Sequence, residues 1–141
     1  MDFNDEIEQI RKRKLDDLLL TSAQSTSVKQ STAGKGEVTV LSDASFDKFI
    51  AVHDVAMVDF WAPWCGPCRM VSPSVEQLAK EYSGRIAFGK VNVDDNPSTS
   101  SRFSIMGIPT LLIFKKGKPV DSIVGALPKS AIAQRLNRFV V

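Results

Sequence analysis

The chain of 141 residues holds two cysteines, Cys65 and Cys68, and both lie in the segment Asp59 to Arg69, DFWAPWCGPCR. A disulfide between them would close so short a loop that it would add little as a staple, so the pair is there for chemistry. An apolar run ends in aromatic residues just before the pair. Pro67 follows at a position where a helix can begin without losing a hydrogen bond. This puts Cys65 at the start of a helix, where unpaired backbone N–H groups and the helix dipole favour a thiolate over a thiol and lower its pKa. Cys68, one turn on, shares that face. It is expected to be the less exposed of the two, placed to attack a disulfide formed at Cys65. The pattern is a nucleophile with its own resolving thiol. Half of a zinc site would need further ligands, and the chain offers only His53 besides, so no metal is expected. Packing alone does not explain the flanking Trp61, Trp64, Gly66 and Pro67.

Asp59 breaks the apolar run Val55, Ala56, Met57, Val58, Phe60. A carboxylate buried in such a strand is costly, and it either shifts its pKa upward or finds a partner. A structural pair with Lys90 is one reading of it. Strands are expected at Val38–Leu41, Val55–Trp61, Ile86–Val93, Thr110–Phe114 and Val120–Val124, and helices at Ser45–Val52, Pro67–Tyr82, Pro97–Phe103 and Lys129–Phe139. Gly117 sits in the short turn between the last two strands, so those pair antiparallel. Pro73 interrupts the long helix and bends it. Strand and helix signals alternate, which indicates an α/β domain with at least some parallel pairing.

Residues 1–20 and 21–36 have a different character. Phe3, Ile7, Ile10, Leu15 and Leu18 recur at helical spacing around a basic run, Arg11 to Lys14, giving an amphipathic helical extension over 1–20 that docks within the molecule or recruits a partner. Thr21 to Gly36 contains seven Ser or Thr and two Gly, the composition of a flexible linker. Six basic and six acidic side chains cancel over residues 1–36, so the net charge of +2 belongs to residues 37–141. That charge does not argue for a nucleic-acid partner. No apolar stretch approaches the length of a membrane span and no secretory signal is evident, so neither membrane nor export is expected and the compartment reads as cytoplasmic.

The WCGPC that follows VDFWA resembles the thioredoxin family, and the likeness extends over residues 37–141. KVNVDDNP at 90–97, GIPTLLIFKKG at 107–117 and VGAL at 124–127 are similar to family segments in the same order. The resemblance implies a thioredoxin fold, a central mixed sheet of about five strands flanked by about four helices. It implies a protein disulfide reductase with no bound cofactor beyond the redox-active Cys65–Cys68 pair. Disulfide-containing client proteins and a thioredoxin reductase or equivalent donor are the partners it implies. In the family the aspartate matching Asp59 accepts and donates the resolving cysteine's proton, and the lysine matching Lys90 tunes it. Pro109 is expected to be cis. The Ile108 backbone is expected to pair with an extended substrate in a groove lined by Gly107, Ile108, Pro109 and Gly125, beside Trp64, Gly66 and Pro67. For Gly107 and Gly125 plain turn geometry is an equal reading. The Gly-Pro between the cysteines resembles reducing members of the superfamily. A disulfide isomerase or oxidase, and a non-enzymatic binding module on the same fold, are the alternatives. Pro63 and Met106 stand where relatives vary in charge.

Overall fold

In the computed structural model, residues 36–140 are described. The proposed extension over 1–20, and all but the last residue of the 21–36 linker, lie outside them. Strand β2 (Val55–Trp61) carries six consecutive buried residues. A strand buried on both faces belongs at the middle of a covered sheet, and β2 takes that place. The strand order is β1-β3-β2-β4-β5. β3 (Ala87–Asn92) runs parallel to both β2 and β1 (Val38–Leu41), whereas β4 (Thr110–Lys115) is antiparallel to β2 and to β5 (Lys118–Val124). Four helices accompany the strands: α1 (Phe46–Val52), α2 (Gly66–Glu81), α3 (Pro97–Arg102) and α4 (Lys129–Leu136). The expected mixed five-strand sheet with four helices is the architecture observed.

Alternation along β2 splits the core in two, because successive side chains leave opposite faces of a sheet. Val55 and Met57 join Val75 and Leu78 of α2 and Ile132 and Leu136 of α4 on one face. Ala56, Val58 and Phe60 meet Phe46 and Ile50 of α1 on the other. There Phe46, Phe103 and Phe114 pack with ring centroids 5.3–5.6 Å apart. The aromatic cluster ties α1 and the end of α3 to the sheet, and so anchors the loop that follows α3.

Two boundaries differ clearly from expectation. β5 begins at Lys118, not Val120, because Lys116 (φ 53°) and Gly117 (φ 81°) form a two-residue turn with both central residues left-handed. That geometry matches strand twist and lets pairing continue to the tip, and an irregularity at Ile113/Phe114 accommodates the register. α4 stops at Leu136 instead of Phe139. Its last bonds tighten to three-residue spacing, with Arg138 N–H donating to Arg135 C=O and Phe139 N–H to Leu136 C=O. Pro73 lies inside α2 without ending it. Among the described residues no helix is long and apolar enough to cross a membrane.

Candidate active site

The C-terminal end of β2 delivers the chain to the start of α2. Cys65 is the N-cap residue of α2, in extended conformation, and Pro67 occupies the first turn. The Cys68 backbone N–H donates to the Cys65 sulfur at 3.2 Å, one of the otherwise unpaired donors of the helix start. The two cysteines are joined as a disulfide with Cα atoms 5.3 Å apart. Each is only 4% exposed, so the expected difference in exposure is absent in this oxidised state. Both cysteines pack with Ala62 in a small buried cluster, against which Trp61, Val93 and Ile108 rest. What distinguishes the two cysteines is their surroundings. Cys68, and not Cys65, lines a cavity of about 110 Å³ shared with Asp59, Arg69, Ser72 and Lys90.

Asp59 lies beneath that cavity on β2, in register with Lys90 on β3 and Leu111 on β4. It is 4% exposed, and its Oδ1 has no hydrogen-bond partner. Burial pushes its pKa up to about 7, against the opposing pull of the Lys90 charge. Lys90 Nζ stands over the Trp61 ring, 5.4 Å from its centroid. Among the described residues no ion pair within 4 Å joins it to Asp59. Asp59 is therefore a buried, unsatisfied carboxyl beside a cysteine, with a cation near enough to modulate it but not to neutralise it.

The opposite wall of the site comes from the loop before β4. The Ile108–Pro109 peptide is cis, and Ile108 packs on the cysteine pair. No hydrogen bond to the Ile108 N–H or C=O is present among the described residues. Gly125 donates its N–H to the Pro109 carbonyl at 2.8 Å and has φ 97°, a conformation that requires glycine. Turn geometry thus accounts for Gly125. Gly107 and Gly66 carry no such φ, and a Cβ at Gly66 would meet nothing within 4 Å. Trp64 is 67% exposed, and its indole N–H donates to Asp94 at 2.9 Å. Arg69 donates to the Pro63 carbonyl at 2.7 Å, which holds the turn that carries Trp64. Sequence reasoning did not single out Asp94 and Arg69. A local signal existed only for Arg69, placed one turn into α2 from the residues it clamps.

The thioredoxin family model matches residues 37–138. The chain belongs to the thioredoxin family. Thioredoxin of Pyropia yezoensis is 49% identical over 104 residues, which cover 73% of this chain and 97% of that protein. The chloroplastic M-type thioredoxin of Pisum sativum is 44% identical over 105 residues, 74% of this chain and 61% of that one. Among solved structures, a mutant thioredoxin from Halobacterium salinarum superposes with a TM-score of 0.72 at 32% identity. It is matched over 78% of this chain and 96% of its own. As a thioredoxin, the chain is a thiol-disulfide oxidoreductase whose redox centre is the Cys65–Cys68 pair. Thioredoxins carry no cofactor, and among the described residues no group of three or more His, Cys, Asp or Glu could hold a metal ion.

Proposed function

We propose that this thioredoxin reduces disulfides of client proteins with Cys65 as nucleophile, Cys68 as resolving thiol and Asp59 as the proton acceptor for Cys68. The Cys65 thiolate attacks one sulfur of a client disulfide. An S–S bond forms to Cys65 and the client's other sulfur leaves as a thiolate. Asp59, as carboxylate, then takes the proton of the Cys68 thiol through the shared cavity. The Cys68 thiolate attacks Cys65, the mixed disulfide breaks, and the second client sulfur is released. Two electrons pass to the client, whose two thiolates take up protons, and the chain is left as the Cys65–Cys68 disulfide. A dithiol reductase returns it to the starting state.

One observation carries the assignment of roles: the helix start presents an N–H to the Cys65 sulfur, while Cys68 alone shares the cavity with Asp59. The unpaired Ile108 backbone supports an extended client segment pairing there as an added strand. A dithiol that must stay reduced suits the cytoplasm. Residues 1–36 we assign to client choice or association, not to dithiol chemistry. In the test, Cys65→Ser abolishes reduction of a protein disulfide, whereas Cys68→Ser accumulates a covalent mixed disulfide with the client. Alkylation of the reduced protein at mildly acidic pH labels Cys65 first. Faster labelling of Cys68 would reverse the roles.

A further inference from the structure

The surface next to Cys65 continues beyond the Ile108–Pro109 loop. α3 ends in a left-handed residue, Ser104 (φ 55°), with Ser104 N–H donating to Ser101 C=O and Ile105 N–H to Ser100 C=O, both at 3.0 Å. This double closure redirects the chain away from the helix. It leaves Met106 93% exposed, the highest value among the exposed large hydrophobic side chains of the described residues. Ile105, Met106 and Gly107 form a wall shared by two cavities. One, of about 150 Å³, lies on the Trp64 side and is completed by Ile108. The other, of about 230 Å³, lies between the loop after α3 and residues of β4 and β5. Its lining includes Thr110, Leu112, Phe103 and Val124. Val124 is itself 67% exposed. No Asp, Glu, Lys or Arg lines either cavity.

We propose that Met106 and the 230 Å³ groove beyond it are a specificity-determining position that takes an uncharged apolar side chain of the client, such as Leu, Ile, Met or Phe, a few residues from its reacting cysteine. The inference rests on the reductase reading, since a client attacked at Cys65 must lie against Trp64 and Ile108 and so over the first cavity. An extended chain advances about 3.3 Å per residue and crosses the Met106 ridge within a few residues. The second groove is therefore continuous with a surface that the chemistry forces the client to occupy. An unbranched thioether adapts to several shapes, so Met106 selects a class of side chain and not one residue. A charged client side chain there would lose hydration and find no opposite charge in the lining, whose polar side-chain groups are the hydroxyls of Ser104, Thr110 and Ser122.

The test uses the full chain and matched disulfide peptides that differ only in one residue near the cysteine: Leu, Gln or Glu. The wild type is expected to prefer the Leu peptide over the Glu peptide by about tenfold in kcat/KM, the discrimination available from small differences in an apolar pocket. Met106→Gln and Val124→Glu should each erase most of that preference, and Met106→Leu should keep it. Val124→Glu, which lines only the second cavity, should reduce a small aromatic disulfide, too short to reach the groove, at the wild-type rate. If the wild type reduces the small disulfide but shows no preference among the peptides, or if Met106→Gln keeps the preference, the groove is not a specificity position. If the wild type fails on the small disulfide as well, the reductase reading itself falls.

Discussion

Asp59→Asn tests whether the buried carboxyl is a functional group held at a cost to the fold. Burial moves the Asp59 pKa from 3.8 to about 7. Between these values the folded protein keeps a proton that the unfolded chain has released. Stability therefore falls as pH rises through that interval and levels off above the folded pKa. Three units at about 1.36 kcal/mol each make the full descent on the order of 4 kcal/mol. Asparagine keeps the shape and cannot ionise, so the variant lacks this descent. It should match the wild type near pH 4 and exceed it by an amount on that order at pH 8. Urea unfolding of both oxidised proteins across that range measures the gap. Taking the difference cancels Asp43 and Asp121, whose lowered pKa values come mainly from hydrogen bonds to Thr99 and Arg135 respectively and act at the acid end. The same substitution removes the proton acceptor we propose for Cys68, and resolution of a mixed disulfide should slow by about 10²-fold, in the usual range for general-base catalysis. In the wild type that step should accelerate as pH rises through about 7. A stability gap that does not change with pH, or a variant less stable at pH 8 with unchanged resolution, would refute the reasoning and favour a structural role.

Three further outcomes follow from the same geometry. Lys90→Gln removes the charge that opposes the burial of Asp59, so the Asp59 titration followed by NMR should move further upward; a downward move would show that Lys90 does not act through its charge. Ser104→Gly relieves a left-handed non-glycine residue at the end of α3 and should stabilise the fold by about 1 kcal/mol in denaturant unfolding. Gly125→Ala imposes the reverse strain at φ 97°, beside the bond to the Pro109 carbonyl. It should cost about 1–2 kcal/mol, and an unchanged midpoint would show that the turn relaxes freely.

Much of the fold was legible because its signals are local. The apolar run of β2, the helix start around Pro67 and the Gly117 hairpin are each written within a few residues, and the structure places all three where they were expected, the helix opening one residue earlier at Gly66. The two displaced boundaries depended on tertiary fit: β5 lengthens because its partner strand continues to offer hydrogen bonds, and α4 shortens where its last turn tightens. For the site, the two cysteines and the helix end that distinguishes them are local to WCGPC, and the sequence by itself determined that this chain carries a nucleophilic dithiol. It could not determine what surrounds them. Strand register sets Asp59 opposite Lys90, folding buries Asp59 Oδ1 without a partner, and the 107–109 loop reaches the cysteines from a distant part of the chain. These are non-local facts, because a carboxyl's proton affinity and a thiol's exposure depend on how much water the assembled neighbours exclude, and only the tertiary structure decides that.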